Sequence, residues 1–368
     1  MDKSWEELTK YLPEGWELQA EKQGALLRKR EIKTADELLV LNLLHVKDGG
    51  SYQATSSMMK LTAGISLDKN AVYHRIKASW RWLRWMAEGV CSVQGITIPK
   101  PAYLGNKHVR LIDASDIALK GSQTSDYRLH YDFDLFEFQC RSMEMTTVKE
   151  GEKLTRHKVH PDDILICDRA YCTITGIEHV KASQGSFILR LRSKAFNLYD
   201  QSGKQIQLTS LLGGMDKEYE NTDIHCFYKL PSGRLSPIRI VAMKKDNEAI
   251  DKANRRLARK ASRKQMPSAS SETRLINEYV VIATNLDYTN EQILELYRAR
   301  WQIEQVFHRL KSLFEFGEIP NKNYDAVMAW FYGKLLLAAL CEAIVRTECF
   351  SPEHQRVFFG FASQKSVE

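Results

Sequence analysis

Three short apolar runs constrain this chain more than anything else in it: ILICDRAYCT (164–173), SFILRLRS (186–193) and VVIATNL (280–286). None of them opens with polar/apolar alternation, and that is the pattern of strands covered on both faces. Such strands need helices on either side of their sheet, so the chain reads as α/β. Other extended segments differ. HVRLIDASDIALKG (108–121) is apolar and then runs into a polar end. DYRLHYDFDLFEF (126–138) alternates, with Leu129, Tyr131, Phe133 and Leu135 on one face and His130, Asp132 and Asp134 on the other. RSMEMTTVKEG follows as the third strand of an antiparallel meander.

The segments around these strands have other characters. From Asp36, three helical stretches separated by short Gly-containing turns resemble a helix-turn-helix unit. Ser66 or Asp68 is placed to cap the third, whose exposed face offers Lys69, Asn70, Tyr73, His74, Arg75 and Lys77 for phosphate and base-edge contacts. A plain helical bundle with Trp80, Leu83 and Trp85 in its core is the other reading. Residues 194–275 carry two turn signals, DQSGK and LPSGR, between short alternating runs, a β-rich insertion. It ends in KANRRLARKASRK, with Arg255, Arg256, Arg259 and Lys260 among cations that no acid balances, the footprint of a polyanion partner. The expected division is an N-terminal helical unit (1–100), two strand-and-helix parts (101–193 and 276–350) around the insertion (194–275), and a tail (351–368).

Composition excludes several classes. With 43% hydrophobic and 27% charged residues, the 368-residue chain is that of a globular protein long enough for two or three domains. Seven cysteines without a CxxC pair point to reduced thiols and a cytoplasmic setting. The acidic N-terminus, MDKSWEELTK, is unlike a signal peptide. AVMAWFYGKLLLAALCEAIV (326–345) has the length of a membrane span, but Lys334 and Glu342 make it a buried helix instead. There is no P-loop and no GxGxxG, hence no expected nucleotide cofactor.

EQILELYRARWQIEQVFHRLKSLF (291–314) has no Gly or Pro and reads as one long amphipathic helix. Its apolar stripe is Leu296, Ile303, Val306, Phe307, Leu310 and Phe314. Beside the stripe, Tyr297, Arg300, Glu304 and Lys311 fall within roughly 60° of one another at about 100° per residue. An ordinary solvated charged face fits that pattern too. Upstream, Asp113 and Asp168 each follow an apolar run, where a carboxylate is costly without a cation. Adjacent strands would bring the two together, with Glu304 as a third ligand of Mg²⁺ or Mn²⁺. Two such ions about 4 Å apart suit phosphodiester displacement. Asp116 is the nearest rival of Asp113, and it, Asp132, Asp134, Asp162 and Asp163 are expected to be solvated or capping.

Tyr297, Arg300, Glu304 and Lys311, with spacings of three, four and seven, match the YREK signature of one group of bacterial insertion-sequence DDE transposases. LIDASD resembles that family's first-aspartate strand, with Ala114-Ser115 where Gly-Thr is common, and ICDRAY resembles its second. The resemblance spans roughly residues 105–345. It implies an RNase H-like mixed sheet with flanking helices. It also implies a metal-binding catalytic triad of Asp113, Asp168 and Glu304, with two Mg²⁺ (or Mn²⁺) ions per site. Arg300 and Lys311 would hold phosphates of the transposon end, and Tyr297 would position the backbone at the scissile bond. Trp301 would stack on a displaced base or be a packing residue. Double-stranded DNA, as terminal inverted repeats and target, is the implied partner of a homodimer active near the nucleoid by cut-and-paste, with a hairpin intermediate. A structure-specific nuclease or a domesticated repressor on the same core are the alternatives.

Overall fold

The computed structural model describes residues 3–47, 49–93, 99–137, 139–191, 196–263, 270–313, 318–320 and 322–349. Helices come first: α1 (Lys3–Thr9), α2 (Trp16–Lys22), α3 (Ala35–Lys47), α4 (Tyr52–Ala63) and α5 (Lys69–Val93). Local chemistry sets their ends. Ser51 accepts from Ala54 N at 3.2 Å to start α4, and Gly64, at φ 69°, closes it in the left-handed conformation. Of the two expected caps of α5, Asp68 is the one used, accepting from Asn70 N at 2.7 Å and Ala71 N at 3.0 Å. In the helical core Trp82, which the spacing did not single out, is fully buried, stacks on Trp16 at 6.0 Å and donates to Trp16 O at 2.8 Å. Leu83 is buried as expected, whereas Trp80 and Trp85 are only half-buried.

The sheet opens with β1 (His108–Leu119), β2 (Tyr127–Asp134) and β3 (Gln139–Thr147), an antiparallel meander. Then come β4 (Asp163–Cys167), α6 (Ile174–Ala182) and β5 (Ser186–Arg190), with β4 parallel to β1 and β5 parallel to β4. The next stretch holds β6 (Leu198–Tyr199), β7 (Gln205–Ile206), α7 (Leu208–Leu212), β8 (Asn221–Lys229), β9 (Leu235–Lys244), α8 (Asn247–Arg263) and α9 (Ser271–Asn277). After it run β10 (Tyr279–Thr284), α10 (Asn290–Arg298), α11 (Trp301–Leu313), β11 (Glu318–Ile319) and α12 (Tyr324–Cys349). Among the described residues the strand order is β3-β2-β1-β4-β5-β10-β9-β8-β6-β7, with β11 pairing β1 in parallel. A mixed sheet with helices against it is the expected α/β class, and the β3-β2-β1-β4-β5 part is consistent with an RNase H-like core. The strands of 194–275 join this sheet through the β9–β10 pairing and do not form a sheet of their own. Its basic run lies on α8.

One sheet face carries the apolar core. Val109, Leu111, Ile117, Leu129, Tyr131 and Phe133 are buried there in the same cluster as residues of α5 and α12. The approach of α12 to α3 is close: a Cβ at Gly333 would stand 2.8 Å from Val46 Cγ1. A window of α12 apolar enough to span a membrane by composition is 78% buried inside the fold, so it is a core helix, with Lys334 over the Trp330 ring at 5.4 Å.

On the opposite face Asp132, expected to be solvated or capping, is neither. His130, Asp132 and Asp134 are all buried, as is Asp163. The reason is a cation supplied by the neighbouring strand. Arg110 of β1 donates through Nε to Asp132 Oδ1 at 3.1 Å and pairs with Asp163, while its Nη1 also reaches Lys158 O at 2.8 Å. Burial opposes ionisation of Asp132, and hydrogen bonds from His157 and Arg110 overcome it, holding the carboxyl below its usual range. Asp134 accepts from Phe136 N and Glu137 N, capping the turn into β3. Asp116 and Asp162 are exposed as expected. Replacing Arg110 with Met strands two buried carboxylates, and urea unfolding should show a loss of about 3–5 kcal/mol. Asp116→Asn, which breaks an exposed pair with Arg128, should cost about 1 kcal/mol or less. Equal effects from the two variants would mean that the buried network does not hold this half of the sheet together.

Candidate active site

Parallel pairing of β1 with β4 sets Ile112 opposite Cys167, and one residue further on each strand lie Asp113 and Asp168. Asp113 is not at a strand end, as its sequence context implied: β1 continues to Leu119, because its far half still pairs with β2 and β11. Asp168 follows the last residue of β4, Cys167, and directly precedes a short 3-10 turn, Arg169–Tyr171. Asp113 Oδ1 accepts from Ala114 N at 2.8 Å. Burial, with Asp168 adding repulsion, pushes the Asp113 carboxyl up to about 6 against the pull of Ala114 N and Arg300. Asp116, the rival carboxylate, points to the other face, where Arg128 Nε meets it at 2.7 Å.

The segment expected as one helix is two. α10 ends at Arg298 and α11 starts at Trp301. Between them Arg300 N donates to Tyr297 O at 3.1 Å and Gln302 N to Ala299 O at 2.9 Å, a tightened i→i−3 turn. Neither glycine nor proline marks the break. It arises because the two halves answer to different strands, α10 packing on β5 and β8 and α11 on β1. The start of α10 is fixed from outside: Arg239 of β9 donates to Leu286 O at 3.2 Å and to Asn290 Oδ1 at 2.7 Å, and also binds Tyr288 O and Asp223.

Across that turn Arg300 draws the constellation together. Its Nη1 is 3.4 Å from Asp113 Oδ2 and its Nη2 is 2.6 Å from Glu304 Oε1. One guanidinium thus spans two carboxylates that are far apart in the chain, and Asp168 adds to its electrostatic hold. Tyr297 is mostly buried, its ring 6.0 Å from Arg300 and 5.9 Å from Arg190, and burial raises its phenol. Trp301 is 55% exposed and is therefore not a packing tryptophan. Lys311 falls on α11, with its side chain outside the described residues; Phe314 lies outside them altogether.

Arg190, at the end of β5, went unnoticed in the sequence. It is 8% exposed and donates to Tyr279 O at 2.9 Å. Desolvation, with Arg169 and Arg300 nearby, lowers it to about 10. Lys245 is likewise lowered to about 8, by burial and by Arg190 and Arg169. The sequence signal was an arginine inside the apolar run SFILRL. Cations crowded at this cost beside Asp168 are suited to an anionic ligand.

The remaining expected residues lie elsewhere. Arg255, Arg256 and Arg259 are exposed on α8, and Lys260 is on the same helix. Lys69 and Asn70 are exposed on the first turn of α5. Tyr73 packs edge-on against Tyr52 at 5.3 Å, and Arg75 Nη2 donates to Arg28 O at 2.5 Å.

Asp113, Asp168 and Glu304 offer hard oxygen ligands suited to a divalent cation. Desolvated and repelled by Asp168, Asp113 has reason to accept one. A second set, His108, Asp134 and Glu137, has ligand atoms within 4.8 Å of one another, but Arg141 Nη2 already fills it, 2.9 Å from Asp134 and 2.5 Å from Glu137. Because the Asp113 carboxyl is raised, its ionised form weakens the fold as pH climbs through about 6, and a bound cation offsets that loss. Thermal unfolding should therefore show Mg²⁺ or Mn²⁺ raising the midpoint by several degrees near pH 8 and by little near pH 5. The increment should vanish in Asp113→Asn; an equal gain at both pH values would remove Asp113 from the ligand set.

Residues 105–340 match the family model of the transposase DDE domain. The chain is 28% identical, over 344 residues that make up 91% of each protein, to the putative transposase InsL for insertion sequence element IS186A of Escherichia coli (strain K12). It is 28% identical over 345 residues, again 91% of each, to the transposase for insertion sequence element IS421 of Escherichia coli. A more distant relative is the transposase for insertion sequence element IS231F of Bacillus thuringiensis subsp. israelensis, 24% identical over 249 residues, 60% of this chain and 50% of that one.

Proposed function

The chain belongs to the family of transposases built on the DDE domain, enzymes that act on DNA, and from that premise we propose that it is the cut-and-paste transposase of an insertion sequence. The observation that carries the site assignment is the Arg300 guanidinium bridging Asp113 and Glu304. Asp113, Asp168 and Glu304 form the catalytic triad. They hold two divalent ions, Mg²⁺ or Mn²⁺, which when bound acidify an attacking water or hydroxyl and stabilise the leaving oxygen.

The chain's own residues do the rest. Arg300 gives up its carboxylate partners for a phosphate of the transposon end, and Lys311 takes a neighbouring one. Arg190 belongs to the same anion-binding wall. Tyr297, wedged between Arg190 and Arg300, positions the backbone beside the scissile bond. Trp301, exposed next to Arg300, stacks on a base drawn out of the helix. Arg255, Arg256, Arg259 and Lys260 follow the DNA along α8. Lys69, Asn70, Tyr73 and Arg75 of α5 contact the terminal inverted repeats.

In the reaction, a water oxygen attacks the phosphorus at the transposon end and the 3′-oxygen leaves as a hydroxyl. That hydroxyl attacks the opposite-strand phosphorus, closing a hairpin and releasing the flanking DNA with a 3′-hydroxyl. A second water opens the hairpin and restores the transposon 3′-hydroxyl, which then attacks a target phosphorus and expels a target 3′-oxygen. Two chains pair two ends in a homodimer. The setting is the bacterial cytoplasm at the nucleoid.

Glu304→Gln and Asp168→Asn should each abolish Mg²⁺-dependent cleavage of a duplex taken from the DNA flanking the reading frame, while leaving its binding nearly intact. Arg300→Ala and Lys311→Ala should instead weaken binding, each flattening the dependence of log K on log salt by about 0.9. Full cleavage by either carboxylate variant would overturn the assignment.

A further inference from the structure

Between α2 and α3 lies a loop that the catalytic reading does not use. Ala25 and Leu26 on one side of it and Ile32 on the other are buried, but Leu27 between them is 76% exposed. Three consecutive cations follow, Arg28, Lys29 and Arg30, all exposed. The loop is anchored at both ends. Ala25 N and Leu26 N donate to Ala20 O at 2.8 and 3.0 Å, closing α2. Thr34 N donates to Glu37 Oε2 at 3.1 Å while Glu37 N donates to Thr34 Oγ1 at 3.1 Å, a capping box that opens α3.

A third anchor joins the loop to α5, since Arg75 Nη2 donates to Arg28 O. The loop backbone at Arg28 is thus tied to α5, the helix that exposes Lys69, Asn70, His74 and Arg81. Lys29 pairs with Glu21 at 2.5 Å. Arg28 and Arg30 have no ion pair among the described residues. A single exposed leucine is ordinary on a protein surface. A leucine at the tip of an anchored loop, followed at once by three cations and bonded to the helix proposed to read DNA, is a different arrangement. Side chains of this kind enter a minor groove as an apolar wedge between base steps, with arginines on the flanking phosphates.

We propose that Leu27–Arg30 is a second DNA-reading element, entering the minor groove next to the major groove that takes α5. Arg28 and Arg30 neutralise phosphates on either side of it, and Leu27 presses on a base step and bends the duplex. This rests on the reading of the N-terminal helices as the end-binding unit.

The test uses the full chain and a fluorescently labelled duplex cut from the DNA flanking the reading frame, with a random-sequence duplex for comparison. Arg28→Ala/Arg30→Ala should weaken binding tenfold or more at low salt and reduce the log K against log salt slope by about 2. Arg28→Lys/Arg30→Lys should keep the slope. Leu27→Ala should keep it too, yet bind several-fold more weakly and bend the duplex less, read by energy transfer between dyes at its two ends. Because these side chains are exposed, thermal midpoints should stay at the wild-type value. An unchanged slope in the double alanine variant, or an unchanged bend in Leu27→Ala, overturns the inference while wild-type binding leaves the transposase reading standing. Failure of the wild-type chain to prefer the flanking duplex overturns both. Loss of a DNA-free dimer in Leu27→Ala would assign the leucine to a second copy of the chain and also overturns it.

Discussion

Burial of a carboxylate, Asp113, in the middle of β1 is the constraint that the candidate site answers to, with Asp168 just past the end of the neighbouring parallel strand adding a smaller repulsion. Asp113 is driven towards its protonated form by burial and by Asp168, and the nearest relief is Arg300. That arginine must be brought in from a part of the chain far from either aspartate, and Glu304 comes with it on the next helical turn. A guanidinium resting on the carboxylates keeps the site assembled before any divalent cation or phosphate is present. On the proposed function the same side chain would move to a phosphate when the carboxylates take up a cation, so that assembly and DNA binding would draw on one group.

Delivery of Arg300 depends on the break in its helix. α10 lies on β5 and is tied at its start to the β8–β9 hairpin by Arg239, whereas α11 lies on β1. The strands of 194–275 therefore brace the start of α10 through Arg239, and the same stretch carries the basic α8. The sheet's own interior divides its two faces. One is apolar and packs with α5 and α12, and the other uses Arg110, Asp132 and Asp163 to bury charge beneath the segment around Lys158. Rigid support on both faces is what holds three carboxylates from distant strands and helices near one another.

Much of this was legible in one dimension. Unalternating apolar runs announced strands covered on both sides and capping residues marked helix starts, whereas the strip of Tyr297, Arg300 and Glu304 supposed one continuous helix that the structure breaks between Arg298 and Trp301. Local chemistry controls the runs and the caps, so local sequence reports them. Where reading failed, a distant partner was responsible. Asp132 looked solvated because Arg110, its cation, lies on another strand. Arg190 was passed over because its neighbours Tyr297, Arg169 and Arg300 come together only in the fold.

The sequence by itself determined the α/β class and the meander, and it named Asp113, Asp168 and Glu304 as candidates for metal-dependent chemistry. Only the tertiary structure decided that Asp113, not Asp116, shares a face with Arg300, because the direction of a side chain on a strand depends on which partners cover each side. It also decided where the signature helix bends, since that helix packs on two strands at once. Trp301 belongs to the same class: its helix position was plain from the start, and its exposure beside Arg300 followed only from what the sheet left uncovered.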